Sequence, residues 1–320
     1  ILLYVESFGN PLTFRSLARR VSRTKPIIAV KSGRSAAGQR AAASHTGALA
    51  SSDAVVEALC DHAGVVRTTT IEELFDVTRV LANQPLPPGR RVAIVTNAGG
   101  PGILAADACA AHGLDVPSFS AGTTGELRLA LPAAAAVGNP VDMIASASAN
   151  QYERVLRAVL EDAAVDAVMV IFIPPLVTRG DDVAHAIRRA AAVRPEKPVL
   201  AIFMSTQPAA AELLPIPRFT FPEAAAAALA RAARYAAWRR RPEGTYPQFD
   251  DTDPAAARRI IDEALAAGGG WLDAGVAAAL IRTAGIPQPA AALVRSAGEA
   301  VDAAGRLGYP VALKAQGPSL

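Results

Sequence analysis

Short runs of consecutive apolar residues alternate along this chain with longer segments whose apolar positions recur at helical spacing. The runs cover residues 1–5, 27–30, 92–96, 167–173 and 199–204. A strand in a parallel sheet is covered on both faces, so it reads as a continuous apolar run rather than as strict alternation. Helices are expected from Ser52-Asp53 onward and over 71–82, 101–112, 181–192 and 222–239. Thr70 and Glu73 have the spacing of a capping box, and Pro222 stands where a first-turn proline belongs. Strands that alternate in this way with helices predict an α/β fold with parallel sheets.

An imperfect repeat organises the pattern. One copy runs strand, arginine-bearing helix, Lys25-Pro26, strand. The other runs strand, helix, Lys197-Pro198, strand. A further strand and helix precede the second copy, at 91–96 and 101–112, and none precedes the first. The first unit is therefore expected to be truncated. Proline-rich breaks at 84–89 and 241–254 mark boundaries, which divides the chain into 1–83, 84–248 and 249–320. In the last part, 272–284 reads as a helix, 291–295 as a short strand, Ser296 and Glu299 as the capping box of another helix, and 310–315 as a strand. This part is expected to be the beginning of a domain rather than a whole one.

Composition narrows the class. Half of the 320 residues are hydrophobic, enough for sizeable cores. The two cysteines, Cys60 and Cys109, fall in helical patterns and read as core. No metal-type Cys/His spacing exists, and no disulfide framework, which fits a cytoplasmic location. No run is long enough to span a membrane. The net charge is +3, but Arg15, Arg19, Arg20, Arg23, Lys25, Lys31, Arg34 and Arg40 crowd one region. That belt is either a solvated face or a field that draws in phosphate. It lacks interleaved aromatics and any nucleic-acid motif, so no nucleic-acid partner is expected.

Three stretches carry candidate chemistry. His45 lies in Ser44-His45-Thr46-Gly47-Ala48, where small neighbours let backbone N–H groups approach whatever the imidazole holds. It reads either as a phosphoryl acceptor or as a loop histidine bonded to a carbonyl. Thr96-Asn97-Ala98-Gly99-Gly100-Pro101-Gly102 joins a buried strand to a helix, and it reads either as a helix N-terminus that cradles an anion or as a tight turn that holds no ligand. It is neither a Walker A loop nor a GxGxxG. Glu6 ends the first strand, at the edge where parallel sheets place ligands; it can fix a histidine tautomer or be a plain surface charge. Asp142, in Asn139-Pro140-Val141-Asp142, reads as a turn residue that caps a helix or orients a loop. Lys314, in an apolar strand, can meet a nucleotide phosphate or snorkel from an edge.

The His45 run, with Glu6 before it and 96–102 after it, resembles the nucleoside-diphosphate-forming acyl-CoA synthetases of the succinyl-CoA synthetase superfamily. Gly308-Tyr309-Pro310-Val311-Ala312-Leu313-Lys314 looks like the opening of their ATP-grasp domain. The resemblance implies an α/β chain of two flavodoxin-like parallel-sheet units, the first truncated, followed by the start of an ATP-grasp domain. It implies an acid–CoA ligase that interconverts acyl-CoA, NDP and phosphate with acid, CoA and NTP. His45 would be the phosphohistidine and Glu6 its carboxylate partner. Asn97, Gly99, Gly100 and Gly102 would bind phosphate, and Lys314 nucleotide. ATP or ADP, CoA and nucleotide-bound Mg2+ are the implied cofactors, with metal ligands outside this chain. Small-molecule substrates and a homo-oligomer are implied partners. The family's CoA-binding domain and most of its ATP-grasp domain are not in this sequence, so the chain reads as an internal piece expected to be inactive alone. The alternative is the acyl-CoA-sensing region of a GNAT-type protein lysine acetyltransferase; a third reading is a flavodoxin-like module that only binds.

Overall fold

In the computed structural model the described residues are 1–35, 37, 38, 40, 52–175, 178–204, 213–245, 247 and 249–315. Residues 1–242 form one compact unit and 243–320 another. The first holds two all-parallel sheets, which establishes the α/β class.

The smaller sheet has the order β1 (Leu2–Val5), β2 (Ile28–Lys31), β3 (Val66–Thr68). Between its strands run α1 (Pro11–Ser22) and α2 (Asp53–Ala63). Both pack on one face against Ile27 and Ala29, with Cys60 and Val56 in that core. Asn10 caps α1 and Ser52 caps α2 through their side-chain oxygens. After β3 comes α3 (Ile71–Asn83), on the opposite face.

The larger sheet has the order β5-β4-β6-β7-β8: β4 (Val92–Thr96), β5 (Val141–Asp142), β6 (Ala167–Phe172), β7 (Val199–Phe203) and β8 (Arg218–Phe219). Every residue of β4, β6 and β7 is buried, which is why these strands read as unbroken apolar runs. Their alternate side chains feed two cores. One contains α4 (Gly99–Ala111) and α8 (Pro222–Arg240); the other contains α6 (Ala149–Glu161) and α7 (Gly180–Ala191), with Leu127 of α5 (Ala121–Ala130). The α4/α8 core also takes in Ile28, Val30 and Val66 of the smaller sheet and Leu74, Val77 and Val80 of α3. The two sheets therefore share a helical layer and fold as one unit.

The pattern missed three short strands. β3, β5 and β8 are two or three residues long, too short for a periodic signal. The segment 139–142 is accordingly no simple turn before a helix: Val141 and Asp142 pair with Val95 and Thr96 as an edge strand. The Thr70–Glu73 box also differs. Thr70 Oγ1 accepts the Glu73 N–H, but the Glu73 carboxylate reaches the N–H and hydroxyl of Thr69 instead of closing on Thr70. Ser296 and Glu299 repeat this one-residue displacement onto Arg295. A complete box, not anticipated, forms between Ser148 and Gln151.

The second unit contains α9 (Pro254–Ala266), α10 (Ala274–Thr283) and α11 (Ala297–Leu307). The strands expected at 291–295 and 310–315 do not form; both stretches are irregular and largely exposed. A strand needs a hydrogen-bonded neighbour, and the described residues of this unit contain none.

Candidate functional site

The glycine turn after β4 is built by side chains that close on the backbone. Thr96 Oγ1 accepts the Ala98 N–H at 3.0 Å and donates to the Ala98 carbonyl at 2.9 Å. Asn97 is 2% exposed; its Oδ1 accepts the Ile173 N–H and its Nδ2 donates to the Ile173 carbonyl. This double bond ties the end of β4 to the end of β6. The Asn97 side chain thus holds the turn in place.

α4 begins at Gly99 on an Ala98 N-cap that supplies no side-chain oxygen, whereas α1, α2, α3, α5 and α6 each have one. Pro101 has no N–H to offer. The first-turn donors without a side-chain cap are therefore the N–H groups of Gly99 and Gly100, at the positive end of the helix dipole. The three glycines differ. A Cβ on Gly102 would lie 3.0 Å from Thr96 Cγ2 and 3.6 Å from Pro140 Cβ, and one on Gly99 would lie 3.0 Å from Asp142 Oδ2; one on Gly100 would meet nothing within 4 Å. Gly102 lets helix and strand approach, and Gly100 leaves the cradle open.

Asp142 does not cap a helix, since Ser148 caps α6. The β4–β5 register sets Asp142 opposite Thr96. One of its oxygens lies beside Gly99, and the other accepts the Ile144 N–H at 3.0 Å. Ile144 has φ 63°, a conformation that costs a β-branched residue about 1–3 kcal/mol. Asp142 was open to two readings in the sequence. Its place beside Gly99 depends on a pairing that local pattern does not reveal.

At the smaller sheet, Val5 pairs with Lys31, so Glu6 leaves the carboxyl edge next to the point where Lys31 enters its loop. Glu6 is exposed. A hollow of about 510 Å3 opens at this edge, lined by Lys31, Ser32, Gly33, Arg34, Ser35, Gly38 and Asp53. Asp53 opens α2, meets Arg34 at 3.4 Å and is bonded by Arg67. The Arg67 hydrogen bond holds the Asp53 carboxyl below its ordinary range. His45 lies outside the described residues, as do its neighbours 41–51. Of the basic belt, Arg23 is structural: it donates to the carbonyls of Arg239 and Arg241 and lies 4.6 Å from the centre of the Trp238 ring.

Lys314 is exposed on an irregular stretch, not on a strand. No group of three His, Cys, Asp or Glu side chains among the described residues could hold a metal ion. No helix among them is long and apolar enough to cross a membrane.

Three family models match in order: a succinyl-CoA ligase-like flavodoxin domain over residues 1–81, a ligase-CoA domain over 92–216 and an ATP-grasp domain over 263–320. In this succession of domains the chain is similar to the ADP-forming acyl-CoA ligases of the succinyl-CoA synthetase superfamily. It is 44% identical over 236 residues to the alpha subunit of ADP-forming acetate–CoA ligase II of Pyrococcus furiosus, covering 71% of this chain and 51% of that one. It is 31% identical, over its whole length and 46% of the other, to ADP-forming 4-hydroxybutyrate–CoA ligase of Nitrosopumilus maritimus. Among solved structures, the dinucleotide-forming acetyl-coenzyme A synthetase 1 of Ca. Korarchaeum cryptofilum, in complex with phosphate and ADP, matches with a TM-score of 0.69 and 33% identity, over 75% of this chain and 53% of that one. The chain spans about half the length of the curated relatives it matches.

Proposed function

We propose that this chain is part of an acid–CoA ligase that forms a nucleoside triphosphate through a phosphohistidine. One observation carries the reading: α4 presents an uncapped glycine N-terminus at the carboxyl edge of a parallel sheet, in a chain 44% identical to an ADP-forming acetate–CoA ligase subunit. In the proposed sequence, phosphate oxygen attacks the acyl carbonyl of an acyl-CoA, and the thiolate leaves as CoA. A ring nitrogen of His45 then attacks phosphorus, and the carboxylate leaves. Finally the phosphoryl group passes from His45 to ADP, and the imidazole is restored.

Glu6 is assigned the role of fixing the His45 tautomer and offsetting imidazolium charge. The N–H groups of Gly99 and Gly100 would stabilise the transferring phosphoryl oxygens, work that rests on positioned donors rather than covalent chemistry. Gly102 and Asn97 would fix where those donors point. Lys314 is assigned to the nucleotide. Domain limits at 1–83, 84–248 and 249–320, a cytoplasmic homo-oligomer, and ATP or ADP with CoA as cofactors belong to the same reading. Magnesium would arrive as the nucleotide's counter-ion; no set of described residues fits it, and no step is assigned to it.

The test is acid-labile radiolabel from ATP on the full-length polypeptide. Wild type is expected to take the label, His45→Ala none and Glu6→Gln far less, while residues 1–320 alone are expected to take none. Equal label on wild type and His45→Ala would overturn the reading. The acyl-CoA-sensing alternative predicts acyl-CoA binding without any label; the relatives named above are ligases or synthetases and lend it no support.

A further inference from the structure

Two cavities adjoin on the seam where α2 and β3 meet α8, one of about 150 Å3 and one of about 200 Å3. Arg67, Arg231, Arg234 and Glu57 line both. Arg241 and Asp61 complete the first, and Arg34 and His112 the second. Three of the arginines are engaged: Arg34 with Asp53, Arg67 with Asp53 and Glu57, and Arg231 with Glu73. Arg234 and Arg241 are exposed, and their guanidinium groups have no partner among the described residues; Asp61 is the one remaining carboxylate on the lining. The Arg67 side chain is only 6% exposed, and its buried Nε has no hydrogen-bond partner.

Like charges held this close, with a buried N–H left unpaired, favour an anion. A phosphate suits the seam better than a lone carboxylate. Its tetrahedral oxygens accept from guanidinium groups that approach from different elements, each in its own fork geometry. The aromatic floor is closed to stacking. One face of Trp238 lies on Gly64, where a Cβ would come within 2.4 Å of the ring, and Arg23 sits over the indole. The seam therefore recognises phosphate groups and not a base.

We propose that this seam binds a phosphate-bearing anion of diphosphate size, at a site separate from the glycine turn of α4. The occupant bridges the smaller sheet and α8, because its ligands come from Arg67 on β3 and from Arg234 and Arg241 on and after α8.

The test is calorimetric titration of the 320-residue chain with inorganic pyrophosphate, with adenosine as control and ADP as competitor. Pyrophosphate is expected to bind and adenosine not. Arg234→Gln combined with Arg241→Gln should weaken pyrophosphate by at least about tenfold without lowering the unliganded melting temperature, since neither guanidinium supports a contact. Gly100→Phe should leave the affinity unchanged. Competition by ADP assigns a nucleotide diphosphate as occupant, and its absence assigns the free anion; both support the proposal once the double variant has lost affinity. Failure of pyrophosphate to bind, unchanged affinity in the double variant, or loss of affinity in Gly100→Phe would overturn it. None of these outcomes depends on whether His45 is phosphorylated.

Discussion

Gly64 lies directly beneath Trp238: at its φ of 70°, a Cβ would come 2.4 Å from three carbons of the indole ring. The glycine ends α2 in a left-handed turn before β3, and the tryptophan sits near the end of α8. Tyr235, one turn earlier, stacks on Trp238 and donates its hydroxyl to the Ser22 carbonyl. The smaller sheet is thus joined to the last helix of the larger one by a contact that admits no side chain at residue 64.

Gly64→Ala is therefore expected to destabilise the 1–242 unit by about 2–4 kcal/mol, from backbone strain together with overpacking. Chemical unfolding monitored by Trp238 fluorescence checks this, preferably with Trp271 replaced. A loss under about 0.5 kcal/mol, the range of ordinary surface changes, would mean that the ring moves aside freely.

The glycines of the α4 turn should separate stability from function. Gly102→Val, with Thr96 and Pro140 in the way, should cost about 1–3 kcal/mol. Gly100→Phe enters open space and should alter stability by less than about 1 kcal/mol, yet weaken phosphoryl transfer in the full-length protein. Denaturation curves and turnover on the same pair of variants provide the comparison.

Asn97→Ala removes both partners of the Ile173 peptide. A fully buried group left unpaired costs about 1–3 kcal/mol; the two Ile173 groups are only part-buried, so together they are expected to cost about 1–3 kcal/mol. Amide hydrogen exchange at Ile173 should accelerate with it, and unchanged protection there would contradict the bridging role.

Acid should weaken the 1–242 unit. Burial acts to raise the Asp166 carboxyl, but hydrogen bonds from the Arg91 guanidinium and backbone, with its charge, outweigh burial and hold the group below its ordinary 3.8. A carboxyl depressed in the folded state contributes stability that is complete above its unfolded pKa and is lost as pH falls through the folded one. Urea midpoints should therefore be insensitive to this group above about pH 5 and decline below about pH 4. Asp166→Asn should flatten that decline and lower stability at neutral pH.

Cys60 and Cys109 should resist thiol reagents in the native protein. Burial pushes the Cys60 thiol up to about 11 and the Cys109 thiol up to about 12, and only the thiolate reacts. Labelling at pH 8 is expected to follow unfolding. Rapid labelling of the native chain would show that α2 or α4 opens locally.

The apolar runs foretold β1, β2, β4, β6 and β7 because buried parallel strands leave an unbroken signature in the chain itself. The Thr96–Gly102 turn was equally legible: glycines, a proline and the residues that flank them act locally. The fate of the Glu73 carboxylate was not. Its spacing from Thr70 promised a closed box, but Arg231, 158 positions along the chain, binds the other carboxylate oxygen. The strand expected around Lys314 failed for a related reason, since an apolar run becomes a strand only where a neighbour pairs with it.

What the sequence determined alone was local and periodic: the longer strands, most of the helices, the parallel α/β class and the motifs that carry the family likeness. Tertiary structure decided what depends on long-range pairing. It set Asp142 beside Gly99 through a two-residue strand, turned Asn97 from an apparent anion ligand into a brace on Ile173, and fused the two sheets around Trp238 and Gly64. It also brought Arg67 onto one seam with Arg234 and Arg241, more than 160 positions further along the chain and in no shared motif. Periodicity encodes which face a residue shows; only packing encodes what that face meets.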